Sequence, residues 1–291
     1  MTTIPEAEQP QSHSWQPTVP GPQPRGTVIL LPGRGEHGGV YERLGCRLAF
    51  DAYALHALDV TVVDDPDVLA KQITAVLAHA VAPVVLAGSD TGALQALSLV
   101  ASGAVAVDGL LLAGLPSVGA ASGVGPAVSA VSATTTLADE AAWDDELAAR
   151  TACPIHRGRL TEDPHFVKGS LTEPIPSHLN PLTPGLDLEG LHTPVLLLHG
   201  GADPVAPLND ARQVAARLPR AELAVTNGGR HDVLNDAPHR TVAAQIVLWL
   251  ERLRSSPQLT PLIVVEDLPQ ALRPTEASVP AQASQPTLAA R

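Results

Sequence analysis

The chain has 291 residues, 45% of them hydrophobic, and a formal net charge of −12. That is enough apolar material for one sizeable domain with extensions, while the acidity argues against a nucleic-acid partner, because binding phosphates needs a cationic surface. No apolar run reaches the roughly 18 residues a spanning helix requires, and Cys46 and Cys153 fit neither a metal-ligand spacing nor a disulfide framework.

Residues 1–25 are rich in Pro, Gln and Ser and carry acids where a secretory signal would have a basic start and an apolar core. They are expected to be a disordered extension of a cytoplasmic protein. Short β-branched or Leu-rich runs then alternate with helical patterns. The predicted strands are Thr27–Leu31, Ala52–Leu58, Pro83–Ala87, Gly109–Ala113, Pro194–His199 and Glu222–Thr226. The predicted helices are Val40–Phe50, Pro66–Ala80, Gly92–Ala101, Leu208–Leu218 and Pro238–Arg254. Continuous apolar strands joined by amphipathic crossovers imply a mostly parallel sheet with helices on both faces, and a ligand crevice at the carboxyl ends of the strands.

The alternation breaks between residues 116 and 191, through a Gly/Ser/Ala-rich stretch, an acidic helix around Ala138–Arg150 and Pro-punctuated loops. An insertion there would cover the crevice as a lid. The expected core is therefore 26–115 with 192–254. Residues 255–291 form a low-complexity tail interrupted by Leu262-Ile263-Val264-Val265, either a stray docked strand or an interaction segment.

The chemistry centres on VVLAGSDTGALQAL, Val84 to Leu97. A nucleophile elbow needs little bulk two residues before and after its tip, because the strand-to-helix turn crowds backbones there. Gly88 and Gly92 meet that demand around Asp90. Centring the turn on Ser89 would put Ala87 and the β-branched Thr91 at the crowded positions. Downstream, LLLHGGADPVAP places Asp203 just past a strand, and NGGRHDVLND places His231 in the Gly-rich loop after the next. The order nucleophile, acid, histidine is a triad order.

Together with ILLPGRGEHGGVYERLG, Ile29 to Gly45, these stretches resemble the monoacylglycerol lipase and lysophospholipase branch of the α/β-hydrolases. The resemblance covers roughly 27–116 and 193–254. It implies the α/β-hydrolase fold with catalytic Asp90, Asp203 and His231, and an oxyanion hole from the backbone N–H groups of Arg34 and Thr91. Glu36 and His37 would cap or orient the loop after the first core strand. The sequence departs from the branch at Pro32, where a histidine is usual, at Asp59, which leads into Val-Thr-Val-Val, and at Asp90, which takes the serine slot.

A carboxylate at the tip is ionised at neutral pH and needs no base to attack. Against an ester carbonyl it is expelled again, whereas displacement at an activated saturated carbon leaves an alkyl ester that His231-activated water can hydrolyse. The leading expectation is thus a hydrolase of a small apolar molecule bearing an epoxide or activated C–X bond, acting through covalent Asp90. The alternatives are a carboxylic- or lipid-ester hydrolase, and a non-catalytic or non-hydrolytic binding protein on the same fold. Tyr41 and Tyr53 lie outside the lid, where epoxide hydrolases of this fold carry theirs. Candidate substrate-contacting residues are Ser89, Trp143, His156 and Arg157, the last two beside Arg159 in a basic loop. The chemistry calls for no cofactor and no metal, and the expected partner is a small-molecule substrate.

Overall fold

A computed structural model describes residues 12–18, 24–60, 65–116, 135–181, 186–256 and 258–265. Seven strands form one sheet: β1 (Ser12–Trp15), β2 (Thr27–Leu31), β3 (Ala54–Leu58), β4 (Val84–Ser89), β5 (Gly109–Ala113), β6 (Val195–Gly200) and β7 (Ala221–Thr226). Their order is β1-β3-β2-β4-β5-β6-β7. β1 runs antiparallel to β3 and the other pairings are parallel.

The helices are α1 (Glu42–Phe50), α2 (Pro66–Leu77), α3 (Thr91–Ala101), α4 (Thr135–Arg150), α5 (Pro154–Glu162), α6 (Leu208–Arg217) and α7 (His239–Ser255). Successive strand side chains point to opposite faces, and the core divides accordingly. Val28, Leu30, Leu55, Val85, Leu111 and Leu196 pack with Leu44, Leu48, Ile246 and Trp249 of α1 and α7. Ile29, Leu31, Leu86, Leu110, Leu112 and Leu197 pack with Leu69, Ile73, Leu94, Leu97 and Val214 of α2, α3 and α6. Strands buried on both faces explain the unbroken apolar runs. This is the α/β-hydrolase architecture.

Two expectations change and one open reading narrows. The N-terminal extension is not uniformly disordered, since Ser12–Trp15 adds β1 to the sheet edge. Its anchor is Trp15, which packs against the core over Gly45, where any Cβ would fall 2.2 Å from the indole. The segment between β5 and β6 is less loop-like than its prolines suggest. Pro154 occupies the first turn of α5, where its missing N–H costs nothing. Leu262–Val265, read as either a docked strand or an interaction segment, forms no strand. Among the described residues no helix is long and apolar enough to cross a membrane.

Candidate active site

The site is built at the carboxyl ends of β4, β6 and β7. Asp90 stands alone between β4 and α3 at φ 49°, ψ −121°, a strained conformation for a residue with a Cβ. Its N–H donates to the Ala113 carbonyl on β5 at 2.9 Å. The flanking glycines are a steric necessity. A Cβ on Gly88 would lie 2.2 Å from the Gly92 carbonyl oxygen, and one on Gly92 would lie 2.3 Å from that of Leu31.

His231 is carried by the loop after β7, whose backbone is stitched to the end of α4: its N–H donates to Ala149 O at 3.3 Å, and that of Asp232 to Arg150 O at 2.8 Å. His231 Nδ1 lies 2.7 Å from Asp203 Oδ2, and His231 Nε2 lies 3.1 Å from Asp90 Oδ1. Asp203 is held by its other oxygen, which accepts from the N–H groups of Val205 (2.8 Å) and Ala206 (3.0 Å). All three side chains are buried.

A fourth group completes the centre. Arg34 Nε donates to Asp90 Oδ2 at 2.8 Å and Nη2 to Asp90 Oδ1 at 2.9 Å, while the Arg34 backbone N–H adds a third bond to Oδ2 at 2.9 Å. The expected oxyanion donor therefore touches the carboxylate of Asp90 itself. Nη1 reaches across to the carbonyls of Leu171 (2.9 Å) and Glu173 (3.0 Å) in the insertion. The Thr91 N–H opens α3 directly after Asp90, among the four donors a helix leaves without an internal partner.

Burial alone would push Asp90 upward. The Arg34 charge, with hydrogen bonds from His231 and Arg34, outweighs it and holds the carboxyl well below the usual carboxylate range. Burial likewise acts to lower His231, but the Asp203 charge and hydrogen bond, joined by Asp90, push it up to about 10. Both directions favour an imidazolium between two carboxylates, one of which also carries a guanidinium.

Around this centre lies a second buried layer. Arg150 pairs with Glu146 at 2.9 Å and reaches Asp232 at 3.5 Å. It also donates to the Arg34 carbonyl at 2.8 Å and to Ser170 Oγ at 2.9 Å. Glu36 accepts from the Gly33 N–H at 2.9 Å and from the Tyr41 hydroxyl, so it orders the loop behind Arg34. Burial, then the nearby Asp232 charge, pushes Glu36 up to about 7.

Among the described residues, none of the other sequence candidates is hydrogen-bonded to the Asp90 carboxylate. Ser89, the last residue of β4, is buried. Trp143 donates to Thr161 Oγ1 at 3.3 Å and packs against Phe166. His156 is buried 3.3 Å from Asp232, and Arg157 reaches the Asp144 carbonyl at 3.5 Å. Two cavities, of about 580 and 340 Å³, are walled by residues of α1, α5, α7 and the neighbouring loops, and neither wall includes Arg34, Asp90 or His231.

Sequence reasoning missed the Arg34 side chain and the Arg150 network. The signal for Arg34 was available: a carboxylate buried at the tip requires a partner cation, and the glycine-rich first motif supplies one.

The family described as serine aminopeptidase, S33, matches residues 22–238. Over 81 residues the chain is 38% identical to rhodomycin D methylesterase DnrP of Streptomyces peucetius, an alignment covering 27% of this chain and 27% of that relative. The fold matches the monoacylglycerol lipase of Paleococcus ferrophilus with a TM-score of 0.64 at 18% identity, covering 84% of this chain and 100% of that one. It also matches a soluble variant of monoglyceride lipase from Saccharomyces cerevisiae (TM-score 0.63, 17% identity, 87% and 96% covered). Esterase RhEst1 from Rhodococcus sp. ECU1013 is similar as well (TM-score 0.61, 22% identity, 83% and 94% covered).

Proposed function

The chain belongs to the serine aminopeptidase S33 family and is a hydrolase; from that premise we propose that Asp90 is its nucleophile, acting on an epoxide or another activated saturated carbon. The observation that carries this reading is the contact of His231 with both carboxylates, 3.1 Å from Asp90 and 2.7 Å from Asp203. An imidazolium cannot serve as a base, yet it is the proton donor that an opening epoxide needs. It fills the role for which the insertion provides no tyrosine.

The proton cycle closes on this geometry. A carboxylate oxygen of Asp90 bonds to an epoxide carbon, the ring C–O bond breaks, and the released electron pair on oxygen takes the Nε2 proton of His231. Asp90, now a neutral ester, no longer holds the ring protonated. Neutral His231 then takes a proton from water, whose oxygen adds to the Asp90 ester carbonyl. The resulting oxyanion faces the Arg34 and Thr91 N–H groups. Collapse expels the diol oxygen, which takes the proton from His231; the carboxylic acid left on Asp90 then passes water's second proton to His231 Nε2, restoring both the carboxylate and the imidazolium.

Arg34 engages both carboxylate oxygens of Asp90, so attack follows withdrawal of the guanidinium. Its bonds to Leu171 and Glu173 couple that withdrawal to the insertion.

A single turnover of an aryl epoxide in heavy-oxygen water tests the route. Label recovered in the Asp90 peptide is the expected result, and product formation with an unlabelled enzyme would overturn it. Two other readings have specific support. The names of the methylesterase and the monoacylglycerol lipases favour an ester substrate. Hydrolysis of p-nitrophenyl esters that survives Asp90→Asn and is lost in Ser89→Ala would transfer the chemistry to that class. The Arg34 bonds to Asp90 favour a binding protein, which would show ligand-induced thermal stabilisation without product.

A further inference from the structure

Away from Asp90, separate stretches of the chain bring three imidazoles and two carboxylates together. His13 lies on β1, His37 in the loop after β2, Asp59 just past β3, and Asp163 and His165 just past α5. The ring centroids of His13 and His37 are 5.7 Å apart, as are those of His37 and His165. One ring nitrogen of His13, one of His37 and a carboxylate oxygen of Asp59 lie within 4.8 Å of one another.

The local backbone is shaped for these rings. A Cβ on Gly38 would stand 3.0 Å from His13 Cδ2, and one on Gly39 would stand 2.7 Å from His37 Cε1 and 3.2 Å from His13 Cε1. Asp59 is fixed through Oδ1, which accepts from the Gly38 N–H at 2.7 Å, leaving Oδ2 3.6 Å from His13 Nε2. His37 is oriented from both sides. Its Nδ1 accepts from the Gly39 N–H at 3.1 Å, so Nε2 carries the proton and donates to Asp163 Oδ2 at 2.7 Å. A carboxylate on the far nitrogen of an imidazole is the arrangement that orients ligating histidines and raises their basicity.

We propose that His13, His37 and Asp59 form a binding site for a divalent transition-metal ion, zinc being the best match. His37 would ligate through Nδ1, giving up the bond from the Gly39 N–H to free that lone pair, with Asp163 as its positioning residue and solvent in the fourth position. Two imidazoles with one carboxylate suit zinc rather than calcium or magnesium. Bonds of about 2.0–2.2 Å require the donors to draw closer by roughly an ångström, which these partly exposed side chains can do (44%, 19% and 23% for His13, His37 and Asp59). The same exposure lets an ion enter without opening the fold. The other His/carboxylate cluster, Glu36, His156 and Asp232, is buried, and the Arg150 guanidinium already supplies its positive charge. The bound ion would staple edge strand β1 to the core, separately from the hydrolytic chemistry.

The test is titration of the untagged full chain with zinc chloride, followed by calorimetry, with cobalt(II) absorption reporting the ligand geometry. Binding at one ion per chain is expected, with thermal melting raised by about 5–10 °C at a hundredfold excess over Kd. His13→Ala and Asp59→Asn should each weaken binding at least tenfold, and Asp163→Asn by about 10–100-fold. Circular dichroism checks that the variants fold, and His13→Gln is the milder replacement should Ala perturb β1. Absence of saturable binding, or binding that folded His13 and Asp59 variants leave unchanged, overturns the proposal.

Discussion

The guanidinium of Arg34 holds both carboxylate oxygens of Asp90, at 2.8 and 2.9 Å, with both side chains buried. These two residues make one physical feature. An elbow normally carries a neutral hydroxyl, which tolerates a dry pocket; a carboxylate in that place needs a cation. His231 supplies part of the compensation and is itself held protonated by doing so. Asp90 is therefore stable as an anion but fully engaged by donors, and exchange of Arg34 for substrate becomes the step that readies it.

Removing Arg34 leaves a buried carboxylate short of its main partner. Arg34→Ala should cost about 3–5 kcal/mol of stability, the range for breaking a buried pair from one side, measurable by urea denaturation. Arg34→Lys should recover only part, because an ammonium cannot span both oxygens. In the folded fraction of either variant, an alkylating epoxide should modify Asp90 faster than in the parent, read as adduct mass on its peptide. Equal rates would show that the guanidinium does not restrain the carboxylate.

Asp90→Asn removes one of the two charges that hold His231 protonated. Its pKa, about 10 in the parent, should fall in the variant while staying above the ordinary histidine value, because Asp203 remains at 2.7 Å. Nitrogen NMR of the imidazole measures this directly. A ring that titrates unchanged would mean that Asp203 alone sets its state, and the proton cycle drawn above would lose its trigger.

The legibility of this fold followed its periodicities. β2 and β5 match the predicted spans residue for residue, because strands buried on both faces announce themselves as unbroken apolar runs between turns. The elbow was legible because steric crowding at Gly88 and Gly92 is a local, countable constraint. Strand β1 was not: Ser-His-Ser-Trp has one apolar residue, and its pairing rests on a partner forty or more positions away. Helix α5 hid behind its polarity, with Gly158 in its middle and Ile155 exposed. The roles of Arg34 and Arg150 were beyond pattern reading, since a side chain reaching Leu171 or Asp232 is a tertiary contact that no local spacing encodes.

Gly88→Ala should destabilise the fold by about 3 kcal/mol, the upper end of the overpacking range, because the new methyl meets the backbone of Gly92 and Ala93 at 2.2–2.4 Å and no rotamer can relieve it. Gly103→Ala is the control. That glycine has a positive φ of 76° but nothing within 4 Å of a Cβ, so only the smaller conformational cost of about 1 kcal/mol applies. Thermal denaturation of the two variants should separate crowding from backbone strain. Similar losses in both would count against the steric account of the elbow.

The raised His231 also sets an alkaline limit to stability. A histidine whose folded pKa exceeds its unfolded value of about 6.5 contributes stability that is complete below that value and disappears as pH rises through the folded one, here about 10. The depressed carboxyl of Asp90 acts in the opposite sense, contributing above its ordinary value of 3.8 and losing that contribution as pH falls. Between pH 7.5 and 10 the His231 contribution is read as the difference between the parent and His231→Gln: Glu36, pushed up to about 7, has largely titrated below that window, and the Cys153 thiol, which burial raises but the Arg43 hydrogen bond and its neighbours lower on balance, titrates alike in both proteins. Urea midpoints should decline steadily from pH 7.5 to 10 in the parent and markedly less in His231→Gln. A parent profile that is flat across the window would mean that the ring is neutral at rest, and the first step would then need another proton donor.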